Sequence, residues 1–275
     1  MARFLLKAID SRINPVNYEP NLISNLIENI YKKKGKITIV QIGAHKGNTS
    51  NDPIHQFIVK HCSADKNPDA NDIFILLIEP AKHIFRQLSE NHKNLNGVFL
   101  ENIAIAETSG LKNLFMLRNN INLAEFGMPE WLDQLSSLLP ERIGKLWDAY
   151  EGNPIYQKFL HENMVVEKVQ CVTFHELLTK YNLKEIDLLQ IDAEGYDYHI
   201  LRSINFNKIR PKFINYERVL LQKNESACRN LMLLQNYIIH DHGQNSLCTL
   251  DSKRRGFYRF RNKAYNNWLR LKYII

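Results

Sequence analysis

A short turn with two glycines is the first feature of the sequence that could serve a ligand. Gly43 and Gly47 follow the β-branched run Ile37–Ile42, and a residue without a Cβ lets a bound molecule approach the backbone closely. The spacing differs from the Gly-x-Gly-x-x-Gly of dinucleotide sites, and no Gly-Lys-Ser/Thr phosphate loop follows. The missing third glycine argues against a nicotinamide-dependent oxidoreductase, while an ordinary tight turn stays an alternative to a cofactor loop.

Acidic residues at the ends of two other apolar runs could bind hydroxyl groups. Glu79 follows the run Ile73–Ile78, and Asp192 and Glu194 follow the run 186–191. A carboxylate in such a position can accept hydrogen bonds from both hydroxyls of a ribose, as in nucleotide-binding folds. The alternatives are a solvated residue for Glu79 and helix capping for the other two, because acids are favoured at a helix start.

The elements that must position these residues follow a regular pattern. Short apolar runs alternate with segments in which apolar residues recur at helical spacing. This order predicts a parallel sheet with right-handed crossovers, so the acids and the glycine turn should share its carboxyl edge. Predicted strands cover residues 37–42, 73–78, 98–104, 186–191, 213–216 and 237–239, with 247–250 as a hairpin partner, and predicted helices cover 21–34, 52–61, 81–92, 173–181, 196–204 and 225–236.

Three regions depart from this alternation. Residues 1–36 form an N-terminal helical segment before the main domain, 37–250, and residues 251–275 form a tail of basic and aromatic residues. Within the main domain, residues 118–167 carry tryptophans and prolines among helical patterns. We expect this stretch to be a helical insertion over the carboxyl edge, where ligands bind in such sheets, or a lid with only a structural role.

Several short motifs follow one another between residues 41 and 217. They are Gln41-Ile42-Gly43-Ala44-His45-Lys46-Gly47-Asn48-Thr49-Ser50, then Ile78-Glu79-Pro80, Asn102-Ile103-Ala104-Ile105, Ile191-Asp192-Ala193-Glu194-Gly195, and Glu217 after Asn215-Tyr216. In this order they resemble the FkbM family of S-adenosylmethionine-dependent methyltransferases. The sequence departs from the family pattern at His45, where Asn is usual, and at Gln41, where an acid is common.

The resemblance implies a class I methyltransferase: a doubly wound, Rossmann-like α/β sheet that transfers a methyl group from S-adenosylmethionine to a hydroxyl, commonly of a sugar, glycan or natural product. It implies that Glu79 binds the ribose and that Asn102 and Ala104 border the adenine. A hydroxyl benefits from losing its proton as it attacks, so we expect a carboxylate base. The ranked candidates are Asp192, Glu194 and Glu217, and the expected cofactor-binding residues are Gln41, Gly43, Ala44, His45, Gly47, Ser50, Glu79, Pro80, Asn102, Ala104 and Asp192.

The charge balance bears on the partner. Lysine and arginine number 36 against 29 acids, for a net charge of +7, and many of the cations lie between residues 253 and 272. Such a balance attracts anionic partners. Methylation of RNA or another nucleic acid through the tail is therefore an alternative to a small-molecule or glycan acceptor. A non-catalytic binding module on the same fold is a further alternative.

Cysteine usage and hydropathy bear on the compartment. The four cysteines are scattered and form no metal motif, which is typical of a reducing compartment. No apolar stretch is long enough to span a membrane, and the first residues lack a secretory pattern. We therefore predict a cytoplasmic protein. No metal is expected, although a divalent cation held by Asp192 and Glu194 is an alternative.

Overall fold

The computed structural model describes residues 21–49, 52–63, 72–128, 130–140 and 154–251. Residues 1–20, Ser50, part of the predicted insertion and the basic tail from residue 252 lie outside these ranges, so the expectations for them stay predictions. The strands are β1 (Ile37–Ile42), β2 (Ile73–Ile78), β3 (Val98–Glu101), β4 (Ala104–Ile105), β5 (Gly110–Leu117), β6 (Ser136–Ser137), β7 (Met164–Val172), β8 (Leu188–Ile191), β9 (Phe213–Glu217), β10 (Tyr237–His242) and β11 (Asn245–Leu250). The α-helices are α1 (Leu22–Lys34), α2 (His55–His61), α3 (Lys82–Asn91), α4 (Pro154–Asn163), α5 (Phe174–Lys180), α6 (Asp197–Ser203) and α7 (Glu225–Leu234), and 3₁₀ helices cover Leu123–Phe126, Glu130–Gln134 and Val219–Asn224.

Seven strands form the central sheet, in the order β10-β11-β9-β8-β1-β2-β3. The five strands from β9 to β3 are parallel, and β11 runs antiparallel to β9 and to β10. In this register Ile42 lies beside both Ile78 and Ile191. The segments that follow β1, β2 and β8 therefore leave the sheet side by side at its carboxyl edge, as the sequence predicted.

Apolar residues cover both faces of the sheet. On β1, Ile37 and Ile39 belong to a core cluster with α1 and α2, whereas Val40 and Ile42 belong to a second cluster with α5, α6 and α7. This division follows from the alternation of side chains along a strand. The predicted doubly wound arrangement is confirmed.

Local side-chain chemistry determines where several helices begin and end. Gly35 ends α1 in the left-handed conformation, with φ 68°, where a side chain would be strained. Thr173 and Glu176 form a reciprocal capping box at the start of α5. Asp52 Oδ1 accepts hydrogen bonds from the backbone N–H groups of Ile54 and His55, so α2 begins three residues later than predicted.

A second sheet, which the sequence did not predict, has the order β4-β7-β5-β6. Strands β5 and β7 pair antiparallel from Gly110 opposite Cys171 to Leu117 opposite Met164, and the insertion grows from the end of this pair. The expectation of a helical insertion over residues 118–167 is therefore only partly right. Residues 164–167 belong to β7, and residues 136–137 form β6 instead of continuing the helical pattern of the preceding residues.

The predicted third strand, 98–104, is also divided between the two sheets. Strand β3 ends at Glu101, and Ala104 pairs with Cys171 in the second sheet. Between them, the Asn102 side chain donates hydrogen bonds to the carbonyl oxygens of Glu79 and Pro80, at 2.9 and 3.0 Å. This contact ties the residue after β3 to the residues after β2, where the chain leaves the first sheet.

The amino edge of the sheet holds a buried carboxylate with two lysine partners. Asp187 Oδ1 accepts from Lys34 Nζ at 2.6 Å and from Lys212 Nζ at 2.8 Å, and Asp187 Oδ2 accepts from the backbone N–H of Thr38 at 3.0 Å. Although burial opposes ionisation, these donors together hold the pKa of Asp187 below its ordinary value. The cluster lies at the opposite edge from Asp192 and stabilises the sheet.

Within the described ranges, every helix is too short or too polar to span a membrane.

Candidate active site

A cavity opens at the carboxyl edge of the central sheet. The residues after β1, β2 and β8 line one side, and β4, β5 and α6 line another. The insertion supplies the remaining wall through Gln134, Ser136, Ser137 and Leu138. The edge predicted from the sequence is therefore lined as a single pocket.

Gly43 is required by the contact between neighbouring strands. Its φ is 80°, and a Cβ built on it would lie 1.7 Å from the carbonyl oxygen of Asp192. The Gly43 N–H donates to the carbonyl oxygen of Ile78, and the Asp192 N–H donates to that of Ile42, both at 2.9 Å. The glycine therefore lets the ends of β1 and β8 meet, which differs from the expected role of admitting a ligand to the backbone.

Glu79 is buried in the cavity wall, with 3% of its surface exposed. Its Oε2 accepts from the backbone N–H of His45 at 3.0 Å, and its Oε1 accepts from that of Ala81 at 2.9 Å. Burial raises the pKa of Glu79 to about 7, and the charge of Asp192 adds to this, although the two N–H donors act in the opposite direction. Each carboxylate oxygen keeps a further lone pair for a ligand hydroxyl.

His45 presents an uncharged imidazole to the same cavity. Its φ is 49°, a conformation that His adopts more readily than most residues. Burial lowers its pKa to about 4, and the nearby carboxylate of Asp133 offsets this only partly. Within the described part of the chain, neither ring nitrogen makes a hydrogen bond of good geometry. A neutral ring supplies one donor and one acceptor, and a ligand in the cavity can use them.

Asp192 lines the open cavity, where the residue is exposed. The surrounding walls nevertheless desolvate the carboxyl group, which raises the pKa of Asp192 to about 6, with a smaller contribution from the charge of Asp52. A carboxyl group with this pKa is mostly ionised near pH 7 and can still take up a proton, as a general base must.

Asp197, in the first turn of α6, supports this loop from behind. It is fully buried, and its carboxylate accepts from the backbone N–H groups of Ala193, at 3.3 Å, and Glu217, at 3.2 Å. Burial and the charge of Asp192 raise the pKa of Asp197 to about 7. Sequence reasoning missed this residue, because an acid in the first turn of a helix is ordinary.

The insertion is attached to the acidic loop by a hydrogen bond. Ser137 Oγ donates to the carbonyl oxygen of Glu194 at 3.0 Å and accepts from the N–H of Leu139 at 3.2 Å. Glu194 has φ 50°, a left-handed conformation in which its carbonyl faces the insertion. Lys46 and Asp133 form a second link, an ion pair of 2.7 Å.

The structure brings together most, but not all, of the predicted site residues. Gln41 is buried and donates from Nε2 to Asp52 Oδ2 at 3.1 Å, and Gly47 packs against His92. Glu217 ends β9, with its N–H donated to Asp197, outside the cavity lining. Ala44 lies in the core and Asn102 holds the backbone of residues 79–80, while Ser50 is outside the described residues. The predicted residues that do line the cavity are Gly43, His45, Glu79, Pro80, Ala104, Asp192 and Glu194.

The residues that sequence reasoning missed are mainly apolar, or come from the insertion. Tyr196 lines the cavity with its ring stacked on His199 at 4.7 Å. Leu114 lines it from β5, and Ile103 lines it from the segment between β3 and β4. Within the described ranges, no group of three or more His, Cys, Asp or Glu residues could hold a metal ion. A divalent cation bound by Asp192 and Glu194 stays a prediction.

The fold and the cavity together define the class of protein. Read from β3, the strand order is β3-β2-β1-β8-β9-β11-β10 with β11 antiparallel, and the pocket lies at the carboxyl edge; this is the class I methyltransferase fold. The family described as the methyltransferase FkbM domain matches residues 41–243, and the chain belongs to this family. It is therefore a methyltransferase that uses S-adenosylmethionine.

Other comparisons add little. No curated protein matches the chain. Among solved structures, the ribosomal protein L11 methylase from Lactobacillus delbrueckii subsp. bulgaricus is similar with a TM-score of 0.35 and 7% sequence identity, over 81% of this chain and 74% of that one. A likeness this loose carries no argument about the acceptor.

The residues of the cavity suit S-adenosylmethionine. Three carboxyl groups line it, those of Glu79, Asp192 and Glu194, and none of the described lining residues is Lys or Arg. This surface favours a ligand with a positive sulfonium group. The imidazole of His45 and the free lone pairs of Glu79 can meet the polar atoms of a nucleoside.

Proposed function

We propose that the chain methylates a hydroxyl group of a small-molecule or glycan acceptor, with Asp192 as the general base. The observation that carries this proposal is the Asp192 carboxyl group, open in the cavity next to Gly43, with its pKa raised to about 6. A hydroxyl needs such a base more than an amine does, because it must lose its proton as it attacks.

Each residue then has a physical task. S-adenosylmethionine supplies a methyl group activated by a sulfonium. Glu79 accepts hydrogen bonds from the ribose hydroxyls, and His45 binds a further polar atom. Asp192 takes the proton from the acceptor hydroxyl, a step worth about 10²–10⁴-fold in rate. The insertion, attached through Ser137, keeps water out and holds the acceptor in line, which can lower the barrier by about 7–11 kcal/mol.

The position of the other two acids supports Asp192 as the base. Glu194 also lines the cavity, but its backbone is held by the insertion through Ser137. Glu217 lies outside the lining, at the end of β9. We therefore rank Asp192 first, Glu194 second and Glu217 last.

The test combines product analysis with two matched variants. Labelled S-adenosylmethionine is incubated with a panel of sugars and methyl glycosides, and the carbon signal of the product distinguishes an O-methyl from an N-methyl group. Asp192→Asn should lower kcat by about 10²–10⁴-fold and leave the Kd of S-adenosylhomocysteine within about threefold. Glu217→Gln should change neither.

Several outcomes would contradict the proposal. Turnover of Asp192→Asn near that of the wild type would remove this residue as the base. Transfer only to nitrogen, or only to RNA, would remove the hydroxyl acceptor. Failure of the wild-type protein to bind S-adenosylhomocysteine would favour a non-catalytic module.

A further inference from the structure

A second concave surface lies beside the active cavity and is lined by basic residues. Two adjoining cavities share His83, Arg118 and Asn119. We call them together the basic groove; its charged residues are Lys46, Lys82, Arg86, Arg118, Asp133 and Glu167. The mechanism described above uses none of them.

The positive charges of the groove exceed its negative charges by two. Lys46 is neutralised by Asp133 at 2.7 Å. Lys82 and Arg86 are exposed and make no ion pair within the described part of the chain, and the first turn of α3 contains no acid. Arg118 Nε is held by Asn163 Oδ1 at 2.8 Å, which fixes the guanidinium and leaves its terminal nitrogens for another partner.

The groove and the active cavity share a wall. His45 lines the cavity while Lys46 lines the groove, and Gln134 lines the cavity while Asp133 lines the groove. The two surfaces have opposite charge, since the cavity is lined by carboxyl groups and by no described Lys or Arg. A single acceptor molecule could therefore place an anionic group in the groove and a hydroxyl in the cavity.

We propose that the basic groove binds an oxyanion on the methyl acceptor, so that the acceptor is an acidic, sugar-sized molecule carrying a phosphate or a carboxylate. This inference rests on the proposed function, because it concerns the acceptor of the same reaction. Arginine forks match both oxyanions with two parallel hydrogen bonds, and Arg86 and Arg118 both line the groove. The concave shape of the groove, beside the active cavity, favours a compact ligand over a nucleic acid strand.

Direct binding to the full chain tests the inference without any methyl transfer. Inorganic phosphate, glucose 6-phosphate, glucuronate and glucose are titrated in turn and followed by calorimetry. The three anions should bind saturably, and glucose should not. The stronger of glucose 6-phosphate and glucuronate then distinguishes a phosphate from a carboxylate acceptor.

The double variant Lys82→Gln/Arg86→Gln should weaken phosphate binding at least about tenfold, since each lost contact to a charged group is worth about that factor. The control is Lys32→Gln/Lys33→Gln, which removes the same charge from the exposed end of α1, before the amino edge of the sheet. It should change the affinity less than twofold. Equal effects of the two double variants, or no saturable binding of any anion, would overturn the inference.

Binding of a nucleic acid is measured in the same way. If a single-stranded RNA oligomer binds more tightly than either sugar anion and loses this affinity in Lys82→Gln/Arg86→Gln, the groove serves RNA and the inference is overturned.

The failures of the two proposals can be told apart. If neutral sugars are methylated at a rate that the double variant leaves unchanged, only the acidic-acceptor inference fails. If phosphate binding responds to the double variant as expected but no hydroxyl is ever methylated, only the proposed function fails.

Discussion

Replacing Glu79 by Gln should change how the stability of the protein depends on pH. In the folded protein, burial raises the pKa of Glu79 from 4.5 to about 7. A group with a raised pKa in the folded state contributes its full stability below pH 4.5 and loses it as the pH rises through about 7. A shift of this size corresponds to about 3 kcal/mol of unfolding free energy.

The Gln variant lacks this pH dependence, but its free energy of unfolding is lower than that of the wild type by a constant amount. Both carboxylate oxygens of Glu79 accept backbone N–H groups, those of His45 and Ala81. An amide nitrogen must face one of these donors, which costs about 1–3 kcal/mol at every pH. The wild type should therefore be the more stable protein at pH 4.5, and its advantage should fall by about 3 kcal/mol by pH 8.

Urea unfolding at half-unit steps between pH 4.5 and pH 8 measures the difference between the two proteins. Glu90→Gln is the matched control, because Glu90 lies on α3 with a side chain 77% exposed; its difference from the wild type should stay constant. A wild-type advantage over Glu79→Gln that changes by less than about 1 kcal/mol across this range would show that burial does not raise the pKa of Glu79 to about 7.

Three further predictions concern other parts of the sheet. Gly43→Ala should lower the free energy of unfolding by at least about 4 kcal/mol or prevent folding, because its Cβ would lie 1.7 Å from a backbone oxygen. Gly35→Ala, with nothing within 4 Å of the added Cβ, should lower it by only about 1–2 kcal/mol. Chemical denaturation measures both losses, and equal losses would contradict this. Asp187→Asn removes the buried negative charge that two lysine contacts share and should cost about 3 kcal/mol, with kcat unchanged in the folded fraction; lost turnover with intact stability would be the opposite result. The kcat of the wild type should rise with pH through about 6, because Asp192 must be ionised to act as a base; a flat profile from pH 5 to pH 8 would argue against that role.

The central sheet could be predicted because its strands are strongly apolar. The runs 37–42 and 73–78 are buried along nearly their whole length and match β1 and β2 residue for residue. Helices between such strands allow few sheet topologies, because the crossover between two parallel strands is nearly always right-handed. The positions of Glu79 and Asp192 could then be predicted as well. The register that places Ile42 beside Ile78 and Ile191 also places the residues after these strands side by side.

The second sheet escaped prediction because its strands are only half buried. In β7, exposed and partly buried residues alternate from Met164 to Lys168, so the sequence pattern places the end of the insertion at residue 167 instead of before this strand. The wall from Gln134 to Leu138 was missed for another reason. No local pattern shows which part of an insertion folds back over an edge, and this wall depends on long-range contacts such as the hydrogen bond from Ser137 to Glu194 and the pairing of β6 with β5.

The roles of two predicted residues were also beyond local reasoning. Gln41 is close in sequence to the cavity, but alternation along β1 turns its side chain to the other face, where it contacts Asp52. Asn102 supports the backbone of residues 79–80 instead of lining the cavity. Both assignments depend on contacts between elements distant in the chain.

A crystal structure of the protein with S-adenosylhomocysteine would show whether the cavity at the carboxyl edge is the site of the methyl donor. We expect the ligand in this cavity, with its ribose hydroxyls about 3 Å from the Glu79 carboxylate and its sulfur on the side of Asp192. A ligand bound in the basic groove or at the amino edge of the sheet would contradict this expectation.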